Sequence, residues 1–440
     1  MSHLLDEIVR AQKRGEARGI ASICSAHPWV LKAAIQETLK VFAKRLRRGT
    51  EEAETFRVLL VESTCNQVNQ FGGYTGMTPA AFVAYVRGLA AENDFPAGRL
   101  ILGGDHLGPN VWQNEPAASA MQKSADMLRT YVQAGYTKIH LDASMKLGDD
   151  DPSRPLDLEL AARRAAFLAK AAESACLDLG PDCKPRYVIG TEVPIPGGAT
   201  AHEDGVSVTK VEDARRTLEV TRAAFLREGL ETAWERVIAL VVQPGVEFGD
   251  DFVLDYNPEA ARELARFSET TSLVYEAHST DYQTRDNLRA LVRDHFAILK
   301  VGPALTFAFR EAVFALAMME NELFHAETRS NIVETLENVM TRQPEHWQKY
   351  YRGDKDIQRL ARKFSQSDRL RYYWGSPQVQ AALGRLLHNL AEKPLPLTLV
   401  SQYAPVQWER ICAGQINNTP EAVILDKVNS VLEEYACACG

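Results

Sequence analysis

The sequence has no apolar run of the roughly 18 residues that a membrane-spanning helix needs. Residues 1–18 carry charges throughout and lack the apolar core of a secretory signal. Basic residues are not in excess, since 50 Lys and Arg stand against 58 Asp and Glu, which gives a net charge of −8. A nucleic-acid partner would favour a basic surface. These absences predict a cytoplasmic protein with no membrane or nucleic-acid partner.

Two nucleotide-binding signatures are also missing. No GxxxxGK[ST] loop occurs, so a P-loop kinase has no support. A Gly-x-Gly-x-x-Gly turn after the first strand would favour an open doubly wound sheet, which is the rival fold. The turn found there is Cys24-Ser25-Ala26-His27-Pro28, which contains no glycine.

The seven cysteines are scattered and odd in number. This usage is typical of free thiols in a reducing compartment. Cys437 and Cys439 leave open a C-terminal metal clip, with a frayed tail as the alternative.

Eight short apolar runs, each followed by an amphipathic segment of helix length, occupy the chain up to Phe324. The runs are Ile20–Ser25, Arg57–Glu62, Arg99–Gly103, Lys138–Asp142, Tyr187–Thr191, Val237–Val242, Ser272–Glu276 and Ala297–Val301. The helical segments are Trp29–Arg47, Pro79–Glu92, Ala117–Ala134, Leu156–Ala175, Val211–Glu228, Pro258–Phe267, Thr284–Arg293 and Phe307–Phe324. Thr78-Pro79 and Asn257-Pro258 each provide a cap and a first-turn proline. The alternation predicts an α/β protein, a (β/α)8 TIM barrel formed by residues 1–329.

No strand run follows residue 330, and aromatic clusters appear instead among helical segments. We therefore predict that residues 330–440 form a C-terminal helical extension packed on the barrel. A separately folding domain is disfavoured because no flexible linker precedes the segment.

Polar side chains recur where the predicted strands end, which is where barrel enzymes assemble their active sites. The candidate catalytic carboxylates are Asp105, Asp142, Glu192 and Glu247. The candidates for binding substrate or phosphate are Ser144, Lys146, Gln243, Ser279, Asp281, Lys300 and Gly302. The loops after the last two strands are the usual phosphate site of this fold, although Gly302 is equally explained as a turn residue.

The stretch Gly103–Asn110 places an Asp beside a His within a glycine-rich turn. Neighbouring residues on a strand face opposite sides, and we expect the turn glycines to relieve that constraint. His106, Glu192 and His278 come from three strands and together predict a divalent metal site, with zinc the expected ion. His140, which lies inside a strand, is interpreted as a hydrogen-bonded barrel residue rather than a ligand.

Several runs together resemble one family, the Z-type subunit of class II D-tagatose-1,6-bisphosphate aldolase. The resemblance covers nearly the full length and is carried by residues 103–110, 138–145, 190–194, 245–248, 276–282, 300–306 and 368–374. It implies a TIM barrel and either a non-catalytic partner of a separate aldolase subunit or a sugar-phosphate 4-epimerase. Some such proteins carry the older name of tagatose-6-phosphate kinase.

In related catalytic aldolases the His of the Asp-His pair binds zinc and the Asp transfers the proton of the C4 hydroxyl, so the resemblance assigns these roles to His106 and Asp105. Glu192 stands where a second His ligand is expected, which departs from the aldolase pattern. We hypothesise C3–C4 retro-aldol and aldol chemistry on a ketohexose phosphate, by an aldolase component or a 4-epimerase. An assembly factor that stabilises a catalytic aldolase subunit is the rival interpretation, and a homo-oligomer remains open.

Overall fold

Eight parallel strands close into a barrel in a computed structural model, which describes residues 3–46, 58–190 and 206–440. The barrel strands are β1 (Ile20–Ile23), β2 (Leu59–Thr64), β3 (Leu100–Leu107), β4 (Lys138–Leu141), β5 (Arg186–Ile189), β6 (Val237–Val241), β9 (Val274–Ala277) and β10 (Phe296–Val301). They follow one another around the barrel in chain order, and β10 closes it on β1 with Ile20 paired to Ile298. The predicted (β/α)8 barrel is confirmed.

Helices surround the barrel and continue beyond it. They are α1 (Leu4–Lys13), α2 (Pro28–Leu46), α3 (Pro79–Glu92), α4 (Ala117–Ala134), α5 (Leu158–Leu179), α6 (Val211–Arg227), α7 (Glu231–Trp234), α8 (Pro258–Glu269), α9 (Arg285–Arg293), α10 (Pro303–Leu323), α11 (Ile332–Arg342), α12 (Lys355–Phe364), α13 (Pro377–Ala391), α14 (Leu397–Tyr403), α15 (Pro405–Cys412) and α16 (Pro420–Ala438). None of those within the described ranges is long and apolar enough to cross a membrane.

The capping residues expected from the sequence begin their helices. The Thr78 hydroxyl accepts the Ala81 N–H at the start of α3, and the Asn257 side chain accepts the Glu259 N–H at the start of α8. Helix α10 begins at Pro303, four positions before the expected Phe307, because a proline fits the first turn of a helix without losing a hydrogen bond. A small antiparallel hairpin, β7 (Glu247–Phe248) with β8 (Val253–Leu254), was not predicted.

From Ile298 to Val301 the side chains of β10 alternate between two cores. In β10, Leu299 and Val301 pack with the surrounding helices, whereas Ile298 belongs to a cluster inside the barrel. This alternation is expected because successive side chains of a pleated strand point to opposite faces. Lys300 therefore shares the inward face of Ile298, one layer nearer the carboxyl end of the strand.

Helix α1 covers the amino-terminal end of the barrel. Its Leu5 and Ile8 are buried in one cluster with Ile20, Leu60 and Ile298. This end of the interior is therefore closed by apolar side chains, and the opening lies at the other end.

The residues after 330 pack against the barrel helices and reach its carboxyl-terminal face. In α16 the Tyr435 hydroxyl donates to the carbonyl oxygen of Thr280 at 2.8 Å. Trp374 packs edge-on against Phe309 of α10, with ring centroids 4.8 Å apart. These contacts fix the extension beside the ends of β9 and β10.

Candidate functional site

Four charged side chains point into the upper half of the barrel. Lys138 lies 2.6 Å from carboxylate oxygens of both Glu62 and Glu276, and none of the three is exposed. The Lys300 ammonium lies 2.5 Å from Glu62 and 3.5 Å from Glu276. The first residue of β4, Lys138, and the third residue of β9, Glu276, thus lie in one network of alternating charges above an apolar layer.

Three imidazoles lie directly above these ion pairs. His140 Nδ1 donates to Asp105 Oδ1 at 2.9 Å, and His278 Nε2 donates to Glu276 Oε1 at 3.0 Å. The ring centroids of His106 and His278 are 4.9 Å apart. The Lys300 ammonium also lies 2.9 Å from Asp105 Oδ1, so the Asp105 carboxylate connects the ion pairs to the three histidines.

The Asp-His pair faces one cavity because of an unusual backbone conformation. His106 has φ of +48°, in the left-handed region that costs a non-glycine residue about 1–3 kcal/mol and that recurs at functional sites. Asp142 Oδ2 accepts the His106 Nδ1 proton at 2.9 Å and fixes the ring. The expectation that the turn glycines provide this freedom is wrong, since the histidine itself adopts the positive φ.

Gly103 in β3 and Gly108 just after it instead allow close approach of neighbouring groups. A Cβ on Gly103 would lie 2.7 Å from the Glu62 side chain, and one on Gly108 would lie 1.6 Å from the Asp142 carbonyl oxygen. Both positions therefore need glycine so that Glu62 and Asp142 can reach their places.

Burial and neighbouring charges set the protonation of the cluster. Burial opposes ionisation of Asp105, but His106 and Lys300 hold the pKa of its carboxyl well below the usual range. Burial also opposes ionisation of Glu276, but Lys138 and Lys300 hold the pKa of its carboxyl well below the usual range. Burial lowers the pKa of His278 to about 4. At neutral pH the site therefore combines ionised carboxylates with a neutral imidazole.

This donor set fits a divalent metal ion. Asp105, His140, Glu276 and His278 each offer a ligand atom, and these atoms lie within 4.8 Å of one another. Among the described residues, His140 Nε2 is buried with no hydrogen-bond partner, although its Nδ1 is bonded to Asp105. A neutral imidazole in that state presents a lone pair, which is what a metal takes.

An open pocket lies over the cluster. It contains about 680 Å³ of space outside atoms, part of it at the open mouth, which is in the range of small-molecule sites. Asp105, His106 and His278 form its floor, and Arg371 and Tyr372 of the extension contribute to its wall.

The structure brings only some of the predicted residues to this pocket. Asp105, His106, His278, Ser279, Asp281, Lys300 and Gly302 line it. Glu192 lies outside the described residues. Asp142 supports His106 from behind, and the Ser144 hydroxyl donates to Asp142 Oδ1 at 2.6 Å.

Three other predicted residues are committed to their own loops. The Lys146 ammonium donates to the Pro152 carbonyl oxygen at an exposed position. Gln243 Oε1 accepts the Gly245 N–H at 2.8 Å. Glu247 is buried in the β7–β8 hairpin, where Oε1 accepts the Phe248 N–H at 3.0 Å. None of the three lines the pocket over the cluster.

At the predicted phosphate loops, a carboxylate of the chain itself occupies the place of an anion. Asp281 Oδ1 accepts the N–H groups of Gly302 at 3.0 Å and Ala304 at 2.9 Å, at the start of α10. Ser279 has φ of +54° and lines the pocket beside it. A phosphate bound to those two N–H groups would have to displace the carboxylate.

Sequence reasoning undervalued the residues within the strands. Lys138 and His140 are two positions apart, as are Glu276 and His278, so each pair shares a face. That spacing was the available signal. Nothing in the local sequence of Arg371 indicated that it lines the pocket.

Comparison with known proteins agrees with this architecture. Residues 5–440 match the family described as D-tagatose-1,6-bisphosphate aldolase subunit GatZ/KbaZ-like. The chain belongs to this family. Relatives described as D-tagatose-1,6-bisphosphate aldolase subunit GatZ are 52% identical in Salmonella heidelberg (strain SL476) and in Klebsiella pneumoniae, with 99% of each chain covered.

A solved structure has the same fold. It is a protein from Sinorhizobium meliloti 1021 described as a probable tagatose 6 phosphate kinase, and it is 44% identical with a TM-score of 0.84. The similarity covers 96% of this chain and 100% of that one. The family expected from the sequence is confirmed.

Proposed function

We propose that the chain acts on ketohexose phosphates of the tagatose and fructose series by breaking and re-forming the C3–C4 bond, as an aldolase component or a 4-epimerase. The observation that carries the proposal is the convergence of Asp105, His106, His140, Glu276 and His278 beneath an open pocket. Catalytic groups of TIM barrels come from the carboxyl ends of several strands, as these do.

Asp105 is the proposed base. Its carboxylate is ionised, lines the pocket and is held by Lys300 and His140. It takes the proton of the C4 hydroxyl, the C3–C4 electron pair moves to C3, and C4 becomes an aldehyde carbon. If the aldehyde leaves, C3 takes up a proton in its place and the reaction is a cleavage. If it turns and re-adds through its other face, Asp105 returns the proton and the product is the C4 epimer.

His106 and His278 are the proposed metal ligands, with His140 and Glu276 as further donors and Glu192 as a candidate outside the described residues. Asp142 orients His106, as carboxylates commonly orient metal-binding histidines. When bound, a divalent ion supplies positive charge beside the substrate carbonyl. We propose zinc, because neutral imidazoles and carboxylates are its usual ligands.

The remaining pocket residues are proposed to hold the sugar. Ser279, Asp281 and Gly302 form one wall near the ends of β9 and β10, and Lys300 reaches the floor. Ser144, Lys146, Gln243 and Glu247 stay weaker proposals, because each is bonded within its own loop or to Asp142.

A non-catalytic role has an observation of its own in favour. The relatives are described as subunits of an aldolase, and the charges of Glu62 and Glu276 are already compensated by two lysines. A barrel that stabilises a separate catalytic subunit would retain such a network for its fold. A kinase is not proposed, because the sequence lacks a phosphate-binding loop for a nucleotide.

Incubation of the isolated chain with fructose 6-phosphate, tagatose 6-phosphate and their bisphosphates, followed by product NMR, separates these roles. Triose products indicate cleavage and a new hexulose indicates epimerisation, whereas unchanged sugars favour the subunit role. Metal analysis of the purified chain provides the second readout, since a scaffold has no need for a stoichiometric ion.

The Asp105→Asn variant keeps the shape of the side chain and removes its basicity. We expect turnover to fall about 10²- to 10⁴-fold, the usual contribution of a general base. Asp126→Asn on the exposed face of α4 is the matched control. Equal turnover of wild type and Asp105→Asn would remove Asp105 from the mechanism.

A further inference from the structure

The C-terminal extension contributes a wall to the pocket of the barrel. Arg371 and Tyr372 lie in a short turn, Arg369–Tyr372, and both line the pocket over Asp105 and His278. The Tyr372 ring meets the Tyr74 ring edge-on at 4.8 Å, which joins the turn to the loop after β2.

Arg371 makes no direct ion pair within the described residues, although the carboxylates of Asp281 and Asp368 lie close enough to feel its charge. Lys300, which also lines the pocket, is paired with three carboxylates. Within residues 3–46, 58–190 and 206–440, no carboxylate lies within 4.0 Å of the Arg371 guanidinium, which donates to two backbone carbonyls and a phenol. A half-buried cation in this state favours an anionic ligand.

The usual phosphate position of a barrel is filled by the chain itself. Phosphate commonly binds where the loops after the seventh and eighth strands meet a helix N-terminus. The two N–H groups available there, from Gly302 and Ala304, donate to the Asp281 carboxylate. An anionic group entering the pocket therefore needs another cation.

The turn holds Arg371 in place before a ligand arrives. Its Nη1 donates to the carbonyl oxygens of Ser367 and Asp368, and its guanidinium lies 4.6 Å from the centre of the Tyr372 ring. The Asp368 carboxylate accepts the Thr306 hydroxyl proton, which fastens the turn to α10. A cation fixed in this way loses little conformational entropy on binding.

We infer that Arg371 binds the phosphate group of the sugar phosphate, so that the extension supplies the anion subsite of a pocket whose reacting groups come from the barrel. The inference rests on the proposed function for its ligand. It predicts that the extension determines the preference for a phosphorylated ketose, while the barrel determines the chemistry.

Binding to the full-length chain tests this subsite. The probes are fructose 6-phosphate by titration calorimetry and fructose by ligand-observed NMR, on wild type, Arg371→Gln, Arg371→Lys and Arg369→Gln. Arg369 belongs to the same turn but lies over the Tyr350 ring, outside the pocket lining, so it is the matched control. Thermal melting establishes that each variant is folded.

We expect Arg371→Gln to weaken fructose 6-phosphate binding about tenfold or more and to leave fructose binding unchanged. The affinity of Arg371→Lys for fructose 6-phosphate should lie between those of wild type and Arg371→Gln, because lysine keeps the charge but loses the bidentate geometry. Arg369→Gln should bind as wild type. Equal affinity of wild type and Arg371→Gln for fructose 6-phosphate overturns the inference, and so does a wild type that binds fructose equally well.

A second measurement uses the wild type alone and does not depend on the folding of a variant. Phenylglyoxal modifies accessible arginines, and mass spectrometry locates the adducts. Fructose 6-phosphate should protect Arg371 at least several-fold, whereas fructose should not. Unchanged modification of Arg371 at saturating fructose 6-phosphate contradicts the inference.

These outcomes also separate the inference from the proposed reaction. If Arg371-dependent binding is found and product NMR shows unchanged sugar, the subsite stands and the C3–C4 chemistry fails. If the chain epimerises or cleaves fructose and fructose 6-phosphate with equal efficiency, the chemistry stands and the subsite fails.

Discussion

The two ends of the barrel interior are built from the same strands but from opposite chemistry. Near the amino-terminal end, Leu60, Val274 and Ile298 pack with α1 in an apolar cluster. Two positions further along the same strands, Glu62, Glu276 and Lys300 form buried ion pairs. The strand pleat brings both sets inward, so the difference is one of sequence and not of geometry.

The two ends contribute differently to stability. Burial of apolar side chains stabilises the fold, at roughly 25 cal/mol for each Å² removed from water. Desolvation of a buried ion pair commonly offsets its Coulombic gain, so such a pair is weak evidence of stabilisation. The apolar end is therefore the natural source of stability, and the charged end is the part of the interior that needs a functional explanation.

Removal of one charge from the network gives the largest expected effect on stability. Lys138→Met leaves Glu62 and Glu276 facing each other with Lys300 as their remaining cation, and we expect the free energy of unfolding to fall by about 3–5 kcal/mol. Urea unfolding measures this change. Lys170→Met, at an exposed ion pair on α5, is the matched control and should cost at most about 1 kcal/mol.

An unchanged stability of Lys138→Met would contradict the view that the lysine compensates two buried carboxylates. A more stable variant would show that the network is costly as a whole and is retained for the site alone.

Truncation at the apolar end should affect stability without touching the chemistry. Ile298→Ala removes a side chain that is 1% exposed, and we expect a loss of about 2–5 kcal/mol in unfolding free energy. Turnover per folded molecule should match wild type. A fall in turnover beyond the fraction unfolded would show that the two layers are coupled through β10.

Most of the fold was predictable because it depends on local signals. Short apolar runs and amphipathic segments alternate in the sequence, and all eight predicted strands occur with ends shifted by at most a few residues. Caps at Thr78 and Asn257 fixed the starts of α3 and α8. The start of α10 was missed because Gly302-Pro303 was interpreted as part of a phosphate loop.

The site was predictable only in outline. The strand ends indicate Asp105 and His278, but both faces of a covered strand are apolar over most of their length, so periodicity does not show which face is inside. Lys138 and His140 were therefore undervalued. Arg371 reaches the pocket through packing of the extension on α10, a long-range contact that no local pattern encodes.

The smallest expected effect concerns a histidine at the charged end that joins no ion pair within the described residues. The His27 ring lies 4.3 Å from the Phe309 ring, and burial lowers its pKa to about 3. Both ring nitrogens are buried, and neither has a hydrogen-bond partner in the part of the chain that the structure describes. An unfolded histidine has a pKa near 6.5. Between about pH 6.5 and pH 3 the unfolded chain therefore binds a proton here that the folded chain does not.

That difference in proton binding destabilises the fold as the pH falls through this window, by at most about 1.4 kcal/mol for each pH unit. His27→Phe keeps a ring against Phe309 and removes the titrating group, so its unfolding free energy should fall less steeply between pH 6 and pH 4.5 than that of wild type. Urea unfolding at several pH values measures both slopes. If wild type and His27→Phe lose unfolding free energy equally steeply with falling pH, the His27 ring nitrogens must find hydrogen-bond partners in solution. His27 would then not differ from the ion-paired residues of the charged end as described.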